Sequence, residues 1–232
     1  MTTDGSIRAA APVDIPTTDP TPTMWRVAGG LAMAHVVLLF AGFSQEVTTE
    51  HGSDPDEITA LLRDAGFDRV IAGGYVESLS FVVLLPALVF LARTVGQRRE
   101  VGRWAALTGL AAGIGYVAVT LAAGMPAGAA ALYGAHTGAD PATVAMVNDV
   151  RNYAFFLSLI LCAAQALAVG ISALSDGRFT RWIGWGGVIA GTGGIVGVAA
   201  GLANVASMLW IVWFVGVGVC LMRAPSSTSI GR

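Results

Sequence analysis

Residues 70–93 read VIAGGYVESLSFVVLLPALVFLAR, an apolar run holding one carboxylate, Glu77, before Arg93 closes it. Roughly 20 apolar residues in a helix, each rising about 1.5 Å, span the hydrocarbon core of a bilayer. This stretch is long enough to cross, and its carboxylate lies well inside it. Working outward, five more stretches share its character, at about 25–44, 104–125, 153–174, 182–202 and 205–222. The chain therefore reads as an all-α, polytopic transmembrane bundle of six helices in three consecutive hairpins. Residues 182–222 divide at Leu202-Ala203-Asn204, because one helix of that length runs about 60 Å, twice the hydrocarbon thickness.

Composition agrees. Of 232 residues, 55% are hydrophobic and 12% charged, where a soluble domain carries about 25% charged residues. So little charge cannot cover a water-facing surface, and the lipid bilayer is the expected environment. The net charge of −2 comes without a basic patch, which argues against a nucleic-acid partner. Cys162 and Cys220 both fall in apolar segments, with no CxxC and no Cys/His cluster, so neither a disulfide framework nor a zinc site is indicated. No cofactor is expected. HExxH, a phosphate-binding glycine loop, a Ser–His pair at suggestive spacing and a DxxxD pair are all missing, and Gly193-Gly194 lies inside a membrane helix.

Residues 1–23, with Pro12, Pro16, Pro20 and Pro22 among Thr, Asp and Ala, bury too little to order themselves and read as a disordered cytoplasmic tail. Residues 24–223 form the transmembrane domain, and 224–232 a second cytoplasmic tail. Placing the N-terminus inside puts Arg8, Arg26, Arg93, Arg98, Arg99, Arg103, Arg178, Arg181, Arg223 and Arg232 in the cytoplasm and only Arg63, Arg69 and Arg151 outside. That bias sets the orientation. All 13 basic residues are Arg, which, with the abundant Gly and Ala, matches a GC-rich bacterial genome and hence a bacterial plasma membrane.

Two outer loops contain helix starts. Asp54-Pro55 places an N-cap before Pro at the first helical position, with Glu57 three residues past the cap. Ile58, Leu61, Leu62 and Ala65 follow at helical spacing and Gly66 can end the helix, so a short amphipathic helix is expected on the outer interface. Asp140-Pro141 repeats the opening.

The odd helices share a spacing. Trp25-Arg26, Arg103-Trp104 and Arg181-Trp182 each open a span; Gly30, Gly109 or Gly187 stands five residues after the Trp, and Ala34, Gly113 or Gly191 nine after it. Small residues at that interval let membrane helices approach closely, so these six are expected at packing seams, within one chain or between copies of a homo-oligomer. The even helices echo one another, Tyr75 preceding Leu79-Ser80 as Tyr153 precedes Leu157-Ser158. With the acidic outer loop 45–69 and the lone Glu77, these features resemble a group of small actinobacterial six-helix membrane proteins catalogued only as domains of unknown function. The resemblance covers about residues 24–223 and implies the topology but no activity.

Five residues can carry chemistry. Glu77 lies eight residues after Arg69, about 12 Å below the outer end of its helix; an ionised carboxylate there costs several kcal/mol unless paired, protonated or wetted. It reads either as a proton-exchanging or ligand-binding group, or as a carboxyl bonded between helices or paired with Arg151. His35 lies about 13 Å from the inner face, and Gln165 falls at a similar depth, so the two can meet as an interhelical hydrogen bond. Depth argues against a direct His35–Glu77 pair. Ser80 and Ser158 lie near Glu77's level and either line its cavity or bond back to their own helices. Asn148, Asp149, Arg151 and Asn152 read as a capped, solvated helix start.

Three functions follow. A binding or regulatory membrane module needs nothing further and ranks first. A small proton-coupled carrier requires Glu77 and His35 on one wet path across both halves of the membrane. A lipid- or isoprenoid-modifying enzyme requires a one-sided apolar pocket, holding a small-molecule or lipid ligand, closed around Glu77.

Overall fold

The protein was analysed as a computed structural model, which describes residues 20–49, 52–177 and 181–223. The expected tails therefore lie, for residues 1–19 and 224–232, outside the described residues. Eight α-helices appear among the described residues: α1 (Pro22–Phe43), α2 (Pro55–Asp64), α3 (Phe67–Thr94), α4 (Glu100–Val119), α5 (Met125–Thr137), α6 (Pro141–Asp176), α7 (Arg181–Ala199) and α8 (Ala203–Met222). A π-helical segment, Thr120–Gly124, joins α4 to α5 without a break. Six helical runs are long and apolar enough to cross a membrane, α4 to α5 counting as one. The chain is all-helical and is a multi-pass membrane protein.

Three helices start by one device, an acceptor side chain followed by Pro, whose missing N–H costs nothing in the first turn. Thr21 accepts from the Met24 N–H before Pro22, Asp54 from the Asp56 N–H at 2.9 Å before Pro55, and Asp140 from the Thr143 N–H at 3.1 Å before Pro141. α6 thus begins well ahead of the apolar run that announced it. α4 differs from expectation at its other end. The apolar stretch of the third span is expected at about 104–125, yet the helical run continues to Thr137. Pro126 has no N–H to give, and the widened π turn just before it accommodates that loss.

Around the bundle the crossings meet in chain order: α1 on α3, α3 on α4, α4 on α6, α6 on α7, α7 on α8, and α8 back on α1. Three hairpins thus close into a ring. Its interior is filled by Phe81, Leu84, Leu88, Tyr116, Trp210, Trp213 and Phe214, and the Trp213 Nε1–H donates to Ile183 O at 2.9 Å, tying α8 to α7. Val37, Leu79, Val82, Ile189 and Val212 point outward and are exposed. In a bilayer that is the ordinary state of an apolar side chain, because lipid is the solvent there.

Small residues set the seams. A Cβ on Gly187 would stand 2.7 Å from Ala166 O, and one on Gly191 2.6 Å from Ala163 O, so α6 and α7 touch backbone to backbone. Gly109 faces Val169, and Gly113 faces Leu88 and Gln165. All four meet residues of the same chain. Gly30 has no such neighbour within the chain: nothing lies within 4 Å of the Cβ it lacks. Its neighbour Gly29 makes the contact, 2.7 Å from Gly218 O of α8. Ring closure turns α1 toward α8 as well as α3, and that rotation moves its seam by one residue. Ala34 is half-buried on α1.

α2, expected as an amphipathic helix on the outer interface, is fastened to the bundle by its apolar face. Ile58, Leu62 and Ala65 pack against Ala131, Leu132 and Ala135 of α5 and Val144 and Ala145 of α6, forming a second small core at this end of the bundle. Leu61 is left exposed. Gly66, expected to terminate α2, instead opens α3 as its N-cap.

Candidate functional site

The α2 end of the bundle holds a buried cluster of polar side chains. It begins where α1 stops. The Ser44, Gln45 and Glu46 N–H groups donate to Phe40 O, Gly42 O and Phe43 O at 2.9, 2.9 and 3.1 Å, so the chain winds on for one more turn and carries Glu46 back toward α3. Two glycines allow the approach. A Cβ on Gly42 would stand 2.7 Å from both the Glu77 Cβ and Gly73 O, and one on Gly73 2.7 Å from the Gln45 Cβ. α1 and α3 are therefore in backbone contact here, with Glu77 seated over Gly42 and only 7% exposed.

The Glu46 carboxyl lies within hydrogen-bonding reach of the Glu77 carboxyl. Arg151 of α6 closes the group: its guanidinium forms an ion pair with Glu46, donates to Val47 O at 3.0 Å, and acts electrostatically on Glu77. One turn earlier on α6, Asn148 Nδ2 donates to Thr49 Oγ1 at 2.8 Å. Segment 46–49 is thus pinned to α6 by two side chains. Glu77 Oε2, Asn148 Oδ1 and Asn152 Nδ2 are shielded from solvent without a partner among the described residues.

Donor and acceptor logic decides what this arrangement does. Two carboxylates only accept, so two carboxyl groups can bond to each other only with a proton between them. One proton, two carboxyls and one guanidinium sum to zero charge, which is how a carboxylate pair is tolerated at membrane depth. Glu77 therefore belongs to an internal, three-residue charge cluster.

The other predicted residues fall in separate surroundings. Ser80 Oγ donates to Glu77 O at 2.6 Å and Ser158 Oγ to Phe155 O at 2.7 Å, each bonding back into its own helix instead of lining a cavity. His35 is fully buried at the centre of the ring, its Nδ1 3.0 Å from Ser80 O. Since that carbonyl only accepts, Nδ1 carries the hydrogen and Nε2 is the bare nitrogen. Phe81, Tyr116, Trp210 and Phe214 surround the imidazole with ring centroids 5.6 to 6.2 Å away. The link from His35 to Glu77 through Ser80 passes two peptide carbonyls, which accept but do not release protons, so it is not a proton wire.

Gln165 does not share these partners, and the expected His35–Gln165 bond is corrected. It lies against Gly113 on α4 and lines a cavity of about 10 Å³ with Leu88, Val95, Leu110, Val169 and Ser172. That is room for roughly one water molecule, and both polar atoms of the Gln165 amide lack a protein partner. A larger groove of about 710 Å³, lined by Val119, Ala123, Tyr153, Leu157 and Val198 among others, opens on the lipid side without Glu77 in its wall. Among the described residues, no three of His, Cys, Asp and Glu stand together as a metal site.

Glu46 escaped the sequence reading, where it counted as one of seven loop acids. Its signal was position, since it follows α1 directly, a single turn past the last apolar residue. The cluster at 148–152 also proves to be covered, not a solvated start, because α6 begins eight residues before Asp149 and the 46–49 segment lies over it. Tyr116 and Trp210 were missed as well. Aromatic residues with a polar tip favour membrane interfaces, so their place deep within spans was the available hint.

A family model described as Domain of unknown function (DUF4386) matches residues 27–223. No curated protein and no solved structure matches the chain.

Proposed function

The chain belongs to the DUF4386 family, whose function is unknown, and we propose that it acts as a membrane-embedded binding or regulatory module. Residues 24–223 are its working unit, and the α2 end is its contact surface. One observation carries this reading: Glu77 is buried at the α1–α3 seam beside the Glu46–Arg151 ion pair, and it lines neither cavity described above. A carrier needs that carboxyl on a wet path shared with His35, but His35 is ringed by aromatic side chains. An enzyme needs an apolar pocket around Glu77, but the large groove has other walls. With ten of thirteen Arg at the opposite end or in the tails, the positive-inside rule favours both termini in the cytoplasm of a bacterial plasma membrane and the α2 end outside.

Native mass spectrometry in a mild detergent tests the reading on the wild-type protein and its Glu77→Gln variant. The module predicts the same bound lipids on both. A small molecule retained by the wild type and lost from the variant would overturn it, and the identity of that molecule would separate carrier from enzyme.

A further inference from the structure

We propose that the Glu46–Glu77 pair is a proton-binding latch, which fastens segment 44–49 to the bundle and lets it go when the proton leaves. The inference deepens the reading above and rests on it, since the α2 end is where such a module would make contact.

The geometry supplies each part of a latch. Its movable piece is short and bonded to the helices beyond it by side chains: Glu46 to Arg151, Val47 O to Arg151, and Thr49 to Asn148. The fixed piece, Glu77, is seated where Gly42 and Gly73 leave no room to move aside. Charge then couples them. With one proton the cluster is neutral; without it, two carboxylates face one guanidinium at a depth where a net charge costs several kcal/mol. Of the two, Glu46 can leave, because it lies beyond the end of α1 on a non-helical segment whose Thr48 is exposed, whereas Glu77 is fixed within a helix. The proton passes from the carboxyl pair to water at that end, and no bond other than the O–H changes.

The polar atoms left over fit this role. Asn148 is fully buried, and its Oδ1 and the Glu77 Oε2 have no protein partner, so the cluster is poised for a change of bonding that its resting form does not use. Among the described residues, the following charged and titratable groups stand near the pair. Glu46 comes from the continuation of α1, Arg151 from α6, and Tyr116 from α4, near enough to act electrostatically on Glu77. Arg63 of α2 is turned to Ala135 O on α5, and His35 of α1 to Ser80 O.

The test reads opening directly. Val47 is partly buried against the small core of this end, whereas Thr48 is exposed. Cysteine at position 47 is labelled with a maleimide across a pH series, read by site-resolved mass spectrometry and normalised to cysteine at position 48. The latch predicts that normalised labelling of Val47→Cys rises several-fold from mildly acidic to alkaline pH. Adding Glu77→Gln or Glu46→Gln replaces the shared proton with an amide hydrogen, so labelling stays low and flat; if one variant fails to fold, the other decides. Infrared spectra provide the second readout, a protonated-carboxyl band in the wild type that both amide variants lose. A flat wild-type profile, or an unchanged rise in either amide variant, overturns the latch. Native mass spectra unchanged by Glu77→Gln leave the module reading standing in that event, whereas a ligand lost from that variant overturns the module whatever the labelling shows.

Discussion

Arg151 meets two acceptors on one short segment, the Glu46 carboxylate and the Val47 carbonyl. Replacing it by Met removes the cation that pairs with a buried carboxyl among the described residues, and leaving a buried charge unpaired costs roughly 3–5 kcal/mol. Arg151→Met should lower stability by about that amount in thermal unfolding in detergent. Glu46→Gln in the same background should restore part of it, because an amide brings no charge; strictly additive effects would mean that the two residues are not coupled. His35 sits in a cage of four aromatic rings with one backbone bond, so its role is packing. His35→Ala empties an aromatic-sized site and should cost roughly 3 kcal/mol. His35→Leu, closer in volume to the imidazole, should cost less than about 1.5 kcal/mol; a loss as large as that of the alanine variant would assign the imidazole a role beyond packing.

Among the elements, α1 is decided by its rotation. Gly29 lies on Gly218 of α8 and Gly42 on Gly73 and Glu77 of α3, while Gly30 between them faces open space. A methyl group at Gly42 collides with backbone and with the Glu77 Cβ, which overpacking places at about 1–3 kcal/mol. Gly42→Ala should therefore destabilise the protein by that amount and loosen segment 44–49. Gly30→Ala should fall within about 0.5 kcal/mol of wild type. The two variants, compared by unfolding in detergent, check the register, since similar losses would place α1 in the rotation that the Trp-to-Gly spacing suggested. The π segment at Thr120–Gly124 belongs to this scale too. The π turn before Pro126 lets a single helical run continue to Thr137, where it supplies three of the five buried residues against which α2 packs.

For the whole molecule, ring closure places the 44–49 segment, α2 and the turn after Thr137 at one end, and the link from Val95 to Arg99 at the other. The orientation proposed above puts the first end outside and the second in the cytoplasm. Single cysteines test the result in intact cells: Thr48→Cys and Thr137→Cys should label from outside with an impermeant reagent, and Gln97→Cys only after permeabilisation. The reverse pattern would invert the molecule and turn the carboxyl cluster toward the cytoplasm.

What the sequence by itself determined is the set of crossings, because the cost of leaving an apolar residue in water, or a charge in lipid, is paid locally and is legible one stretch at a time. It marked Glu77 for the same reason, and it marked the helix starts at Asp54-Pro55 and Asp140-Pro141, where a cap and a missing N–H act within four residues. Gly109, Gly113, Gly187 and Gly191 were legible as a spacing, and the structure gives each a neighbour in its own chain. Only the tertiary structure decided which residues gather at the end of the bundle where Glu77 lies. Glu46, Arg151 and Asn148 stand 31, 74 and 71 positions away along the chain, and their meeting depends on how six helices turn about their axes and on where one loop folds back. Depth in the membrane is set by counting residues, but the face a residue presents is set by all its neighbours at once. That is why the seam of α1 moved from Gly30 to Gly29, and why His35, placed at the right kind of depth for Gln165, faces a ring of aromatic side chains instead.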